Sequence, residues 1–238
     1  MSRGLGDVYK RQACIRGEHF DGHTVAAKML EQGAAAVIAD HDLGLGERQI
    51  LTADTRALYG KLCAAWFGHP ERKMHFIGVT GTNGKTTITN LIKHILMENG
   101  HTVGLIGTIQ NEIGGKAVHT DNTTPFVYDL MQLYAQMADA GCDYVVMEVS
   151  SFGLVQQRIG DTHFDVAVFT NLTQDHLDYH GTMENYYQAK KLLFQRCDCA
   201  VIDTDDAYGR RLKDEISCPV VTSVSYTHLR AHETLANL

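Results

Sequence analysis

Residues 78–87 read Gly78-Val79-Thr80-Gly81-Thr82-Asn83-Gly84-Lys85-Thr86-Thr87, between a strand-sized apolar run over 75–80 and an amphipathic helical stretch over 86–98. Glycines at such a turn let backbone N–H groups converge on phosphate oxygens, and the start of the following helix adds its positive end. In this arrangement Gly81, Thr82, Asn83, Gly84, Lys85, Thr86 and Thr87 would cradle the phosphates of a nucleotide. Lys85 would reach the β- and γ-phosphates, and the Thr86 hydroxyl would hold Mg2+. The spacing departs from the strict G-x-x-x-x-G-K-[ST] pattern, since Gly78 falls one residue early and Gly81 lies inside the loop. A glycine-rich turn with an incidental lysine is the plain alternative. The flanking strand and helix, and an acid at the end of a later strand, favour the phosphate loop.

That acid is Glu148, which closes the apolar run Tyr144-Val145-Val146-Met147-Glu148. Ligands of open α/β sheets bind at the carboxyl ends of strands, which places Glu148 to hold a metal directly or through water. Taken alone it fits equally well as a solvated acid at a loop entrance. Lys190 carries a separate argument. On a helix over 184–195 its neighbours one turn away are Tyr186, Tyr187, Leu193 and Phe194. Such a setting lowers a lysine pKa and makes a neutral amine available, although a stem laid over the sheet with its charge in water is the alternative.

The elements that position these residues alternate. Strand-sized runs over 75–80, 103–107, 144–149, 166–170, 200–203 and 219–222 are separated by helical stretches over 86–98, 126–140, 184–195 and 206–216. Such alternation predicts an α/β fold, a mostly parallel sheet with helices on its faces. Ile88, Leu91, Ile92, Ile95 and Leu96 recur at helical spacing and are expected to form the buried face of the first helix. Residues 13–70 look different, a short helix (25–32), a strand (35–39), a second strand (50–52) and a helix (56–67) ending at Gly68-His69-Pro70. They predict a small, incomplete α/β domain ahead of the central one, with the boundary near residue 70. Hydrophobic residues make up 44% of the 238 and charged residues 21%, an ordinary globular composition. A formal charge of -7 argues against a nucleic-acid surface, and no run is long enough to span a membrane. The six cysteines form no C-x-x-C pair and are expected to be reduced thiols.

Four strings together resemble the Mur ligases: Gly81–Thr87 as quoted, Asn122-Thr123-Thr124-Pro125, Met147-Glu148-Val149-Ser150-Ser151, and Asn171-Leu172-Thr173-Gln174-Asp175-His176-Leu177-Asp178-Tyr179-His180-Gly181. They look most like the MurE type. Another Mur ligase, a folylpolyglutamate synthase and a non-catalytic nucleotide-binding fragment are the alternatives. The resemblance implies a cytoplasmic, monomeric peptidoglycan-precursor ligase that uses ATP and Mg2+. Its partners would be UDP-MurNAc-L-Ala-D-Glu and a diamino acid, joined through an acyl phosphate. It also implies roles by position. Lys85 and Thr86 would serve phosphate and the first Mg2+ with Glu148, and His176 the second Mg2+, supported by Lys190 as a carbamate. Asn122, Thr123, Thr124, Ser150, Ser151 and Arg158 would hold the muramoyl peptide. For His176 a locally bonded loop histidine is the competing reading, and for the peptide group ordinary loop polarity.

The chain departs from the pattern at Phe152, where many MurE-type sequences have histidine, and at Asp203, where asparagine is usual. The resemblance runs from about residue 15 to about 223. Residues 1–12 and 224–238 carry none and are expected to be non-native tails, leaving 13–70 as part of a uridine-nucleotide domain and 71–223 as the incomplete ATP domain. The family's C-terminal domain, which completes the ATP site and selects the diamino acid, has no counterpart here. The chain alone is therefore expected to hold Mg-ATP weakly and not to complete the ligation.

Overall fold

A computed structural model of the chain describes residues 11–17 and 20–224. Most of the tail expected over 1–12 lies outside these residues. Arg11 and Gln12, however, pair with Ala36 and Val37 as the start of a strand. Of the tail expected over 224–238, only Val224 is described.

The first part is a three-stranded parallel sheet in the order β1 (Arg11–Ala13), β2 (Ala36–Ala39), β3 (Gln49–Leu51). Helix α1 (Ala26–Glu31) packs Ala26 and Leu30 with Cys14 and Val37 as a small separate core. Helix α2 (Thr55–Trp66) starts where the Asp54 carboxylate accepts from the Ala57 N–H at 2.9 Å, the usual way an N-cap satisfies an otherwise orphaned donor. The other Asp54 oxygen accepts from Gln157 Nε2 at 2.8 Å, which ties this part to the larger sheet.

The larger sheet has eight strands in the order β11 (Val220–Ser223), β10 (Cys197–Asp203), β9 (Phe164–Phe169), β4 (His75–Thr80), β8 (Tyr144–Glu148), β5 (Val103–Ile106), β6 (Asn111–Ile113), β7 (Lys116–Val118). The first six run parallel, and β6 and β7 are antiparallel additions. The protein is thus α/β with a mostly parallel sheet. The central runs are apolar because helices cover both faces: Val145, Val146, Met147 and Glu148 are all buried. Helix α3 (Lys85–Glu98) follows the phosphate loop, and α4 (Val127–Asp139) buries Leu130, Met131, Tyr134 and Met137 in the main core. Short α5 (Ser151–Val155) and α6 (Leu177–His180) precede α7 (Met183–Lys191), whose last turn tightens into a 3-10 turn over Leu192–Gln195, and α8 (Ala207–Glu215).

Two features differ from the sequence expectation. The β6–β7 hairpin was not anticipated, although Gly114-Gly115 at φ 53° and 82° is the two-residue turn that such a hairpin needs. On α3 the expected apolar face is not buried as a unit. Thr89 is buried, Ile92 and Leu96 pack partly against Val103, Leu105 and Val146, and Leu91 and Ile95 are exposed. The sheet covers only one stripe of this helix, and Leu91 and Ile95 lie beyond its border.

Asp206 connects two of these elements. Its Oδ1 accepts from the N–H groups of Tyr208 and Gly209 at 2.8 and 3.0 Å at the start of α8. Its Oδ2 accepts from the buried Leu172 N–H at 3.1 Å in the loop after β9. Asp206→Ala removes a cap and orphans a buried donor, so unfolding is expected to become easier by about 2 kcal/mol. Denaturant melts of the two proteins check this, and a difference of a few tenths would show that the loop is held from elsewhere.

Candidate active site

Strand β4 delivers the chain into the glycine loop, and Gly81 is where glycine is required. Its φ is 145°, and a Cβ there would stand 1.8 Å from Thr170 Oγ1 and 3.1 Å from the backbone N and O of Asn171. The loop lies directly on the segment that follows β9. The Thr82 N–H donates to Asn171 O at 2.9 Å and the Asn83 N–H to Asn171 Oδ1 at 3.0 Å. The Thr170 hydroxyl donates to Asn83 O at 2.7 Å, and the Thr173 N–H to Thr82 Oγ1 at 3.1 Å. Gly84, at φ 86°, opens α3 without a capping side chain, which leaves the first N–H groups of that helix to an incoming anion. Thr87 is exposed on this first turn.

Two lysines meet the loop from opposite directions. Lys85 folds back, donating from Nζ to Gly81 O at 3.0 Å and Thr82 O at 2.9 Å. Burial lowers its pKa, against the opposing pull of Glu148 and Asp175. Lys190, 2% exposed on α7, donates to the same Gly81 carbonyl at 2.8 Å, with its Nζ 4.5 Å from the centre of the Tyr186 ring. Burial first, and then the charge of Lys85, bring its pKa down to about 7, with Asp175 pulling the other way.

Glu148 is 1% exposed and fully engaged at the end of β8. Its Oε1 accepts from the Thr86 hydroxyl at 2.9 Å and the Thr108 N–H at 3.0 Å, and its Oε2 from the Thr108 hydroxyl at 3.0 Å. Gly107 makes room, since a Cβ there would sit 2.6 Å from Oε1. A cavity of about 210 Å³ opens beside this group, lined by Thr86, Asn90, Gly107, Gln110, Glu112 and Glu148 among others. Lys93 on α3 pairs with both oxygens of Glu112 at 3.0 and 2.9 Å and fixes the wall of the cavity.

The remaining expected residues fall into two groups. The first surrounds the backbone of Glu148. The Thr124 hydroxyl donates to Glu148 O at 3.0 Å and accepts from the Ser150 N–H at 2.9 Å. The Thr123 and Thr108 hydroxyls lie 3.0 Å apart. Arg158 reaches Thr124 O at 3.0 Å and Asn122 Oδ1 at 3.5 Å, with its guanidinium 4.0 Å above Phe126. Ser150 accepts from the Gly153 N–H as the cap of α5. The second group lies around α6. Ser151 is buried and its Oγ is 2.9 Å from His180 Nε2. His180 stacks on Tyr186 at 4.9 Å. His176, exposed and at φ 51°, sits edge-on to Phe152 at 5.2 Å and to Tyr186 at 6.1 Å. Tyr186 also lies 3.4 Å from Thr82 Oγ1, so one ring links His176, Lys190 and the phosphate loop. Asp203 ends β10, its Oδ1 accepting from the Asp205 N–H at 2.9 Å. Sequence reasoning assigned no role to Thr108, Thr170, Asn171, His180 or Tyr186. Four of them stand in or beside the quoted strings and helices, but only their spatial neighbours reveal the contacts.

The position of Lys190 sets a pH test. Its folded pKa of about 7 lies below the ordinary lysine value of 10.5, so between these values the unfolded chain holds a proton that the folded chain lacks. Stability contributed by this group is therefore present above pH 10.5 and lost as the pH falls toward 7. Relative to Lys190→Met, the natural chain is expected to gain on the order of a few kcal/mol between pH 7 and pH 10. Denaturant melts of both proteins at the two pH values read this directly, and an unchanged difference would mean that the buried amine stays charged.

Comparison with protein families matches residues 79–238 to the Mur ligase middle domain. The UDP-N-acetylmuramoyl-L-alanyl-D-glutamate--2,6-diaminopimelate ligase of Geobacillus kaustophilus (strain HTA426) is 43% identical over 218 residues, covering 88% of this chain and 45% of that protein. The protein of the same name from Clostridium perfringens (strain 13 / Type A) is 43% identical over 213 residues, covering 89% and 43%. A solved structure of a UDP-N-acetylmuramoyl-L-alanyl-D-glutamate--2,6-diaminopimelate ligase superposes with a TM-score of 0.76 at 30% identity, over 87% of this chain and 44% of the other. The chain spans less than half the length of the curated relatives it matches. Among the described residues no helix is long and apolar enough to cross a membrane. On its sequence, its sheet and the family match, the chain belongs to the Mur ligase family and is of the MurE type.

Proposed function

We propose that this chain is the part of an ATP-dependent ligase that holds ATP and the muramoyl dipeptide. The reaction joins the side-chain carboxylate of D-Glu in UDP-MurNAc-L-Ala-D-Glu to the amine of a diamino acid. The observation that carries the reading is the meeting of the Thr86 hydroxyl and the Glu148 carboxylate, 2.9 Å apart, at the mouth of the phosphate loop. In this reading residues 13–70 are part of a uridine-nucleotide domain and 71–223 part of the ATP domain, in a cytoplasmic, monomeric protein without a nucleic-acid partner.

The first step brings anions together. A carboxylate oxygen attacks the γ-phosphorus of ATP and ADP leaves. The amine then attacks the acyl carbon, and phosphate leaves. Positive groups have to offset the crowding of charge. Lys85 is spent on two backbone carbonyls in this structure, and because burial already penalises its charge, an anionic phosphate is a better partner than either. The bare N–H groups after Gly84 add to this. Asn122, Thr123, Thr124, Ser150 and Arg158 hold the peptide next to the backbone of Glu148, so that substrate and nucleotide share one strand end.

The donor set suits Mg2+, since Thr86 and Glu148 present hard oxygens side by side. These two residues would hold the first ion, and His176 with Lys190 the second; bound there, Mg2+ offsets the charge of the phosphates. An amine with a pKa of about 7 is substantially neutral at neutral pH. Its Nζ can therefore add to CO2 and lose a proton, giving a carbamate whose oxygens would serve as metal ligands.

The first test is nucleotide binding by the 238-residue chain, read by displacement of a fluorescent ATP analogue in the presence of Mg2+. Lys85→Ala is expected to weaken ATP by about 10- to 100-fold, the loss of one charge-assisted contact to phosphate. Equal affinity would reject the phosphate-loop reading. The second test places the chain in the Geobacillus kaustophilus relative in place of the matching segment. Amide formation is expected to require UDP-MurNAc-L-Ala-D-Glu and to accept no folate. Lys190→Ala should abolish it, with partial recovery on adding short carboxylates, whereas full activity of that variant would dismiss the carbamate.

A further inference from the structure

The three-stranded sheet carries a second group of titratable side chains, remote in sequence from the phosphate loop. Strand β2 ends at Ala39, and Asp40 and His41 follow at its carboxyl end. His23 lies on the 3-10 turn after β1. One ligand-type atom from each of His23, Asp40 and His41 lies within 4.8 Å of the others, and the two imidazole centroids are 4.8 Å apart.

The tautomer of His23 decides what this arrangement means. Its Nδ1 is 2.6 Å from Asp21 Oδ1, and its own N–H donates to the same oxygen at 3.0 Å. An Asp21 oxygen that accepts from both the His23 N–H and the ring leaves Nδ1 as the donor to it. Nε2 then presents a lone pair, and it faces Asp40 Oδ1 at 3.2 Å, with only a long contact of 3.4 Å from the Asp40 N–H. The side chain of His23 is buried, 5% exposed, between these two carboxylates. Asp40 Oδ1 also meets Nδ1 of the His41 ring, so one carboxylate oxygen stands beside both imidazoles. A cation placed between Nε2 and Asp40 Oδ1 would be held by both. The local field is negative enough to reach Cys14, whose buried thiol is pushed up by desolvation and then by Asp21 and Asp40. Arg16 approaches Asp21 Oδ2 at 3.3 Å and Asp40 Oδ1 at 3.7 Å, but its side chain is 61% exposed and can turn into water at little cost.

We propose that His23, Asp40 and His41 form a binding site for a divalent transition metal of the zinc class, with Asp21 orienting His23. Two imidazole nitrogens and one carboxylate oxygen suit Zn2+, Co2+ or Ni2+ and do not suit the all-oxygen preference of Mg2+. The Asp21–His23 bond is the outer contact that metal-ligating histidines commonly make. Three protein ligands leave a fourth position for water or for an oxygen of another molecule. The site lies at the carboxyl end of parallel strands, where open α/β sheets bind ligands.

Cobalt(II) titration of the 238-residue chain, followed by its visible d–d bands, tests this without any assay of ligation. One ion per chain is expected, with a Kd of micromolar order. His41→Ala and Asp40→Asn should each weaken binding by at least about 10-fold, and Asp21→Asn by about 10- to 100-fold. His41 is half-exposed, so His41→Ala is expected to fold, and circular dichroism verifies that. The competing soft site is the Cys197–Cys218 pair, whose sulfurs are 3.6 Å apart. Cobalt held there would show sulfur-to-metal charge-transfer absorption that His41→Ala leaves unchanged, and that result overturns the proposal. Absence of binding at millimolar cobalt, or binding insensitive to both His41→Ala and Asp40→Asn, overturns it as well.

Discussion

One backbone carbonyl, that of Gly81, receives the ammonium groups of both Lys85 and Lys190. Few contacts in the chain are so constrained. The residue has to be glycine, because any side chain would run into Thr170, and the close packing on Thr170 and Asn171 fixes the direction in which the carbonyl points. With Lys190 protonated, two buried cations would share one neutral acceptor and repel each other, which is why the charge of Lys85 contributes to the lowered pKa of Lys190. An anion brought to the loop relieves this repulsion as well as filling the N–H groups of α3, so the binding energy is partly stored in the arrangement of the protein itself.

The strand order explains how residues so distant in sequence reach this point. β4 lies between β8 and β9, and all three run parallel, so the segments leaving their carboxyl ends are neighbours. From β4 comes the glycine loop, from β8 Glu148 and Ser150, and from β9 the Thr170–Thr173 support. β5 pairs with the other side of β8 in a register that sets Ile106 opposite Met147 and brings Thr108 to the carboxylate of Glu148. Apolar burial in the sheet thus does the positioning, and the polar groups sit where the sheet ends.

What could be read from the sequence followed the range of the interaction. The glycine loop, its strand and its helix form one continuous stretch, and the apolar neighbours of Lys190 lie within one helical turn of it. Both are legible in a single string. The α/β alternation was legible for the same reason, through local periodicity. The role of Thr108 depends on a contact 40 residues away in sequence and that of Asn171 on one 88 away, so neither residue carries a local mark. The face of α3 was misjudged because periodicity reports how many apolar residues a helix has, not how wide a stripe its sheet covers. The Gly114-Gly115 hairpin is a different case. Its turn signal was present, but the strands beside it are only three residues each, too short to show alternation. The grouping of His23 with Asp40 and His41 rests on β1 and β2 pairing in parallel, which no spacing in the sequence discloses.

Phe152 shows how a departure from the family pattern is absorbed. A histidine at this position could donate or accept a hydrogen bond, whereas a phenylalanine can only pack. Here its ring lies 4.2 Å from Tyr179, 5.2 Å from His176 and 5.6 Å from His180, centroid to centroid. The same segment loses a second polar group from the surface, because the buried Ser151 hydroxyl is taken by His180. The start of α5 therefore packs through Phe152, and its buried Ser151 hydroxyl is turned inward to His180. Arg158 is itself braced by Gln156, by Thr124 O and by the face of Phe126. A guanidinium pinned on so many sides has little side-chain freedom left to lose, so in the proposed role it would meet an anion at a small entropic cost.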